Sequence, residues 1–273
     1  MKDILFYKMQ ALSNDFIVVP DWDASLDKKK WVHQVAHRRL GIGADQIMFL
    51  SIPETEGVVD CDIYNSDGSS ASQCGNGLRC VAHYLHHIHH FSSTITIRTC
   101  AGLFHFTLDG QRWKSELGTP HFNPKDIPLH RPQPSTFYTF TYKDKEVMVG
   151  AVSIGNPHAV IMTQDKVADS ALAAYLSTHP DFPEGSNVGL MQVNHRNSIS
   201  LQVHERGAGP TPACGSGACA AMAVAFQAGL VDTHVQVNQP GGFLDIFWSG
   251  HPSSSIFCTG PAELLYKGFW CIK

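Results

Sequence analysis

No stretch of this sequence is both long and apolar enough to cross a bilayer. The longest apolar run, from Ala218 to Phe226, falls well short of the roughly 20 residues a spanning helix needs and reads instead as a buried helix. The first ten residues lack the apolar core of a secretory signal, and Lys8 interrupts what apolar character they have, so the protein is expected to be cytoplasmic. Charge is also scarce. Charged residues make up 16% of the chain and the formal net charge is −4, which leaves no basic surplus to attract nucleic acid or an anionic membrane. The expected partner is therefore a small molecule. Without an export signal, the eight cysteines read as thiols and not as a disulfide framework. Cys61, Cys100, Cys258 and Cys271 stand singly in strand-like or terminal sequence and are expected to be small buried hydrophobes. A chain of 273 residues suits two domains, each with its own core, with a site between them.

The remaining four cysteines belong to a pattern that occurs twice. Cys74-Gly75-Asn76-Gly77-Leu78-Arg79-Cys80 in the first half is echoed by Cys214-Gly215-Ser216-Gly217-Ala218-Cys219 in the second. The separation is too long for a solenoid period and points to two related lobes. Each copy opens a helix. After Gly77, Leu78, Val81, Ala82, Leu85 and Ile88 recur at three- and four-residue spacing, which places Arg79, His83, His86 and His90 on the opposite, polar face. After Gly217 the run is apolar all round and stops near Gly229, so this helix should be enclosed by other structure. Strands are predicted at Thr94–Arg98, Leu103–Leu108, Ser198–His204, Val235–Asn238 and Phe243–Trp248, the last two joined through Gln239-Pro240-Gly241-Gly242. The predicted class is α with β, largely antiparallel. The Gly-x-Gly pieces lack the spacing and acidic strand end of a dinucleotide site.

A thiol at the first turn of a helix meets unpaired backbone N–H groups and the positive end of the dipole, both of which favour thiolate. The neighbouring glycines let an anionic group approach the same N–H groups. Inverting a Cα centre without a cofactor needs a base on one face and an acid on the other, and Cys74 with Cys214 would supply both if the lobes meet. Two tightly packed turns holding inert cysteines satisfy the same spacing.

The wider motif set bears on that choice. Asn65-Ser66-Asp67-Gly68 ahead of Gln73-Cys74-Gly75-Asn76-Gly77, then Gly155-Asn156-Pro157-His158, then Glu205-Arg206-Gly207-Ala208-Gly209 ahead of Ala213-Cys214-Gly215-Ser216-Gly217 strongly resemble diaminopimelate epimerase. Ser13-Asn14-Asp15-Phe16, Gly43-Ala44-Asp45-Gln46 and Pro240-Gly241-Gly242 extend the resemblance nearly end to end. It implies an α/β (α+β) fold of two pseudo-symmetric lobes, each a curved, mainly antiparallel sheet around a central helix, with the site in the cleft between them. Residues 1–117 with the tail 262–273 would form one lobe, and residues 118–261 the other. The implied activity is cofactor-independent conversion of LL- to meso-diaminopimelate in lysine and peptidoglycan precursor biosynthesis, with no metal and no pyridoxal phosphate. Carried over by motif, Cys74 and Cys214 are the acid–base pair, supported by His158 and Glu205. Gly75, Asn76, Gly215 and Ser216 form the N–H cradle. Asn14, Gln46, Asn65, Asn156, Asn187, Glu205 and Arg206 contact substrate, with Arg206 able to fork onto the distal carboxylate. Tyr266 matches a position of family dimerisation, so a homodimer is expected.

The chain departs from the family pattern at Ala11 and Ser13, where glycines are usual, and at Pro210, where Glu is usual. Proline or hydroxyproline racemases of the same fold are the nearest alternative, although Asn76 and Glu205-Arg206 argue against them. A phenazine-biosynthesis-like isomerase would lack the cysteine pair. A different class of reading is a metal-binding module built on His83, His86, His87, His89 and His90, where His83 with His87 and His86 with His90 have metal-sharing spacing on a helix.

Overall fold

The computed structural model describes residues 3–163 and 170–271. The described residues divide into two compact units: one runs up to Ser115 and regains the chain from Gly260, and the other is Glu116–Thr259.

In the first unit, strands β1 (Ile4–Ala11) and β2 (Asn14–Val19) lead into helix α1 (Lys28–Ala36). Strands β3 (Gln46–Ser51), β4 (Val59–Asn65) and the short β5 (Ser70–Ala71) precede helix α2 (Gly75–His89), which is followed by β6 (Thr94–Thr99), β7 (Gly102–Asp109) and β8 (Arg112–Glu116). The second unit holds β9 (Tyr138–Tyr142), β10 (Lys145–Ser153), β11 (Pro157–Met162), helix α3 (Ser170–Ser177), β12 (Asn187–His195), β13 (Ser198–Glu205) and β14 (Gly209–Thr211). Helix α4 (Gly215–Gln227), β15 (His234–Gln239), β16 (Gly242–Phe247) and β17 (Phe257–Gly260) complete it, and β18 (Glu263–Trp270) returns to the first unit.

The two units repeat one topology. In the first, β18 pairs antiparallel with β1, β1 antiparallel with β2, β2 parallel with β3, and β3 antiparallel with β4. One edge of β4 then serves both β5, antiparallel, and β6, parallel, and the sheet continues antiparallel through β7 to β8. In the second, β9 to β10 and β10 to β11 are antiparallel, β11 to β12 parallel and β12 to β13 antiparallel. β13 is likewise shared by β14, antiparallel, and β15, parallel, before the antiparallel pairs with β16 and β17. Parallel neighbours need a crossover, and helices supply all four: α1 between β2 and β3, α3 between β11 and β12, α2 between β4 and β6, and α4 between β13 and β15. The fold is thus α+β in two lobes of the same design, with mainly antiparallel pairing.

Alternation along the strands explains why each sheet carries helices on both faces. In β2, Phe16 and Val18 join Met9, Met48, Leu78, Val81 and Leu85 around α2, whereas Ile17 and Val19 join Val32, Val35, Ile47 and Phe49 around α1. This is the period of two that a pleated strand imposes. In the second unit Val149, Ala151, Ala159, Ile161 and Val188 pack with Ala173 and Leu176 of α3. Helix α4 is buried from Gly217 to Ala225, as its all-apolar composition requires.

Three local expectations need correction. Arg79 does not lie on a polar face: it is buried, and its guanidinium donates to Asn76 Oδ1 and, at 3.4 Å, to the Pro261 carbonyl. Polar partners inside the unit outweigh the helical period. His90 is the left-handed cap that ends α2, so it cannot pair with His86 across a helical turn. Cys61 and Cys258 are buried, but Cys100 and Cys271 are exposed, because each lies just past a strand end and not within it.

The missing glycines also have a visible consequence. Ala11 pairs with Asn14, so Leu12 and Ser13 form a two-residue hairpin turn, and both have positive φ, 55° and 66°, as in a type I′ turn. L-residues adopt this conformation at a cost. Ser13→Gly is therefore expected to raise the unfolding free energy by roughly 0.5–1 kcal/mol, measured by urea unfolding, with an unchanged midpoint contradicting the strain.

Candidate active site

The residues singled out by motif fall at matching points of the two units. Asn14 opens β2, and Asn156 immediately precedes β11. Gln46 and Asn187 open β3 and β12, Asn65 and Glu205 close β4 and β13, and Cys74 and Cys214 are the N-caps of α2 and α4. Strand register sets this correspondence: Phe16 pairs with Gln46 as His158 pairs with Asn187, and Gln46 in turn pairs with Asn65. Each unit thus gathers polar side chains at one end of its sheet, beside the start of a helix.

In both helices the first intrahelical bond is made by the fourth residue after the cap, Leu78 to the Cys74 carbonyl and Ala218 to the Cys214 carbonyl. The N–H groups of Gly75, Asn76 and Gly77, and of Gly215, Ser216 and Gly217, therefore belong to the open first turn. The two glycines of each motif differ in purpose. A Cβ on Gly75 or Gly215 would have no heavy atom within 4 Å, whereas one on Gly77 would fall 1.8 Å from Met48 Cε, and one on Gly217 would lie 3.1 Å from Val203 Cγ2. The second glycine lets the helix pack closely on its sheet. The first keeps clear the space in front of the N–H groups, where an anion can bind.

Around Cys74, the Asn14 carbonyl oxygen lies 3.9 Å from Sγ and accepts from Asn76 Nδ2 at 3.4 Å. Gln46 donates to Asn65 Oδ1 at 2.8 Å, and Asn65 donates to Ser69 Oγ at 2.9 Å. The Gln46 carbonyl oxygen is buried and, among the described residues, has no donor.

Around Cys214, the thiol donates to Glu205 Oε2 at 3.4 Å and Ser216 Oγ lies at 3.5 Å. The second Glu205 oxygen accepts from the Thr211 hydroxyl at 2.6 Å. Burial pushes the Cys214 thiol well above its ordinary range and the Glu205 charge adds to the effect, while the Ser216 hydroxyl and the Gly217 N–H oppose it without prevailing. Burial thus works at this residue against the thiolate that a helix start favours and shifts Cys214 toward the thiol. His158 is buried, donates from Nε2 to Asn156 Oδ1 at 3.0 Å, and is pushed down to about 3 by burial and by Arg206, so it is neutral near pH 7. Asn187 accepts from the Arg206 N–H at 3.0 Å and donates to the Pro157 carbonyl at 3.3 Å. The Arg206 guanidinium donates to the Glu184 carbonyl at 2.5 Å, and among the described residues no carboxylate is paired with it.

Five contributors were given no role by the motif reading: Arg79, Asp45 as an anchor for Asn14, Thr99, Thr211 and Gln239. Gln239 closes β15 and accepts the Cys214 N–H at 2.8 Å; Thr99 closes the matching β6 and donates to the Ser72 carbonyl at 2.8 Å, so each strand end braces the approach to its cysteine. The only available signal was the place of Gln239, directly ahead of Pro240-Gly241-Gly242. Tyr266 is exposed on β18 together with Leu265 and Phe269. Of the histidines on α2, the His83 and His87 rings lie 4.2 Å apart and His86 Nδ1 is engaged by the Phe91 carbonyl at 2.8 Å. Among the described residues no group of three or more His, Cys, Asp or Glu is placed to hold a metal, and no helix is long and apolar enough to cross a membrane.

Comparison with known proteins adds independent findings. The family described as diaminopimelate epimerase matches residues 6–122 and 150–265, one match for each half of the chain. Among solved structures, a phenazine biosynthesis protein of the PhzF family from Bacillus anthracis is 14% identical, covers 100% of both chains and has a TM-score of 0.71. A predicted epimerase from Pseudomonas aeruginosa is 15% identical over 99% of this chain and 100% of its own, with a TM-score of 0.68. A hydroxyproline epimerase from Agrobacterium vitis, with bound trans-4-hydroxy-L-proline, is 12% identical over 98% of this chain and 92% of its own, with a TM-score of 0.67. At these identities the likeness shows a shared fold.

Proposed function

This chain belongs to the diaminopimelate epimerase family, and from that premise we propose that it converts LL-diaminopimelate to the meso form, with Cys74 and Cys214 as its acid–base pair. Membership makes the protein an isomerase of the epimerase type. The observation that carries the finer reading is the equivalence of the two cysteines: each caps a helix at the same point of a repeated topology, with an open N–H turn and a polar set beside it.

In the proposed reaction the substrate α-carboxylate lies against the N–H groups that follow the cysteines, which also stabilise charge developing on it as the Cα–H bond breaks. One sulfur, as thiolate, takes the α-proton from one face, and the other, as thiol, delivers a proton to the opposite face. The base ends as thiol and the acid as thiolate, and the reverse reaction exchanges the roles. Cys214, protonated at rest, begins as the acid, and Glu205 is the group through which it regains its proton. Neutral His158 and Asn156 hold that side of the site without adding charge. Arg206, which has no carboxylate partner among the described residues, is left to fork onto the distal carboxylate of the substrate, and no cofactor is required.

The direct test is incubation with LL-diaminopimelate and separation of the diastereomers, with L-proline and trans-4-hydroxy-L-proline in parallel. Formation of meso-diaminopimelate is expected, and turnover of the cyclic amino acids alone would refute the assignment. The glycine geometry gives a sharper expectation. Gly215→Ala should leave stability within about 0.5 kcal/mol of the parent, since the new methyl meets nothing, yet reduce kcat/KM by roughly tenfold or more by obstructing a charge-assisted hydrogen bond. Gly77→Ala should instead cost about 1 kcal/mol or more in stability through overpacking against Met48 and Phe16. Thermal unfolding and steady-state kinetics on the two variants separate these effects.

A further inference from the structure

Four side chains in the first unit form a hydrogen-bonded series whose direction is fixed at both ends. Arg79, which can only donate, bonds Asn76 Oδ1. The Asn76 amide must then turn its NH2 outward, and it donates to Asn14 Oδ1 at 3.4 Å. Asn14 in turn donates from Nδ2 to Asp45 Oδ2 at 2.6 Å. Asp45, as a carboxylate, can only accept. Reversing either amide would set two donors or two acceptors against each other, so the two ionised ends dictate the orientation of both.

The acceptor end is itself clamped. Asp45 Oδ2 also takes the Asp15 N–H at 3.1 Å, and its Oδ1 takes Arg38 at 2.6 Å. Arg38 forks onto both oxygens of Asp15 at 3.0 and 2.8 Å, and Lys8 bonds the same carboxylate at 2.6 Å. Burial alone would push the Asp15 carboxyl up, but its bonds to Arg38 and Lys8 outweigh this and hold it below the usual carboxylate range. The clamp therefore stays ionised across the working pH range.

We propose that Asp45, held by Arg38, is a positioning residue that fixes which end of the Asn14 amide faces Cys74, so that the sulfur meets a carbonyl oxygen and not an N–H group. This rests on the reading of Cys74 as a reacting thiol. With Cys74 Sγ at 3.9 Å from Asn14 Oδ1, a thiol can donate to the fixed carbonyl while a thiolate faces its lone pairs, so the carbonyl opposes the pull of the helix start toward thiolate and makes the Cys74 thiolate that takes the α-proton a stronger base. The other titratable groups near Cys74 are the buried thiols of Cys61 on β4 and Cys80 on α2, both pushed up by burial and so neutral. Among the described residues the charged groups of the series and its clamp are Arg79, Asp45, Asp15, Arg38 and Lys8; beyond them Glu263 acts on Cys80, and Asp62 and Lys28 act on Cys61.

The test needs no substrate. Alkylation of Cys74 by iodoacetamide is followed by peptide mass spectrometry between pH 6 and 9 on the intact protein, with thermal unfolding confirming that each variant is folded. Asp45→Ala releases the Asn14 amide to turn its N–H toward the sulfur, so alkylation at neutral pH should accelerate about twofold or more, the factor expected of a hydrogen bond at the low end of its net range. In an Asn14→Ala background the same Asp45→Ala change should have no further effect. Unchanged alkylation in Asp45→Ala would overturn the proposal. So would an equal acceleration in the Asn14→Ala background, since Asp45 would then act through its charge alone. Should Asp45→Ala fail to fold, the isosteric Asp45→Asn serves the same coupled comparison. Failure to turn over diaminopimelate would remove the epimerase reading without touching this result.

Discussion

Replacing Cys74 or Cys214 with alanine is expected to reduce epimerisation by on the order of a thousandfold to ten-thousandfold while the protein stays folded, because acid–base groups contribute at this level and inversion requires one on each face of Cα. The losses should not multiply. Once one face has no proton donor or acceptor, stereoinversion stops, and removing the second sulfur has little left to abolish. The double variant should therefore resemble either single variant. Stability supports a clean experiment at Cys74, which is only partly buried, and demands a control at Cys214, which is buried in the second unit. A thermal unfolding curve for Cys214→Ala supplies it. Near-parental turnover in either single variant would remove the two-thiol scheme.

Glu205→Gln should lower kcat/KM by about a hundredfold or more. The substitution preserves shape and leaves the Thr211 hydroxyl a partner, but an amide cannot accept the proton that Cys214 must lose when it acts as base. The sulfur is already pushed toward the thiol by burial and by the Glu205 charge. Removing that charge lowers the penalty on the thiolate but also removes the proton acceptor 3.4 Å away, and the second effect dominates if Glu205 relays the proton. Because the equilibrium between the two stereoisomers is set by the substrate and not by the enzyme, kcat/KM must fall by the same factor in both directions. Activity in Glu205→Gln equal to the parent would show that Cys214 exchanges its proton with solvent by another route.

Much of this arrangement is legible in the chain because the relevant signals are local. The cysteine-glycine motifs mark two helix starts, and apolar periodicity separates the half-buried α2 from the enclosed α4. The alternating strands at residues 94–99 and 198–205 appear where β-branched residues predict them. What escaped depends on distant residues meeting. The burial of Arg79 follows from Pro261, far along the chain, and from Asn76 within its own helix. The bracing roles of Thr99 and Gln239 exist only because β6 and β15 run parallel to the strands that lead toward the cysteines. The state of Cys214 depends on how completely the second unit encloses it, which no local pattern reports. At Leu12 and Ser13 the hairpin persists although the glycines usual at positions 11 and 13 are absent, showing that β1–β2 pairing is strong enough to hold two L-residues at positive φ.

The central claim, proton exchange at Cα between two sulfurs, is tested most directly by incubating the protein with LL-diaminopimelate in deuterium oxide and following deuterium at Cα in both stereoisomers during the first few per cent of conversion. Two distinct bases, with proton delivery from a solvent-equilibrated thiol, predict deuterium at the inverted centre of the meso product while the remaining LL substrate stays largely protiated. Meso product that retains its original hydrogen, or equal early labelling of substrate and product, would contradict the account and point to a single group serving both faces.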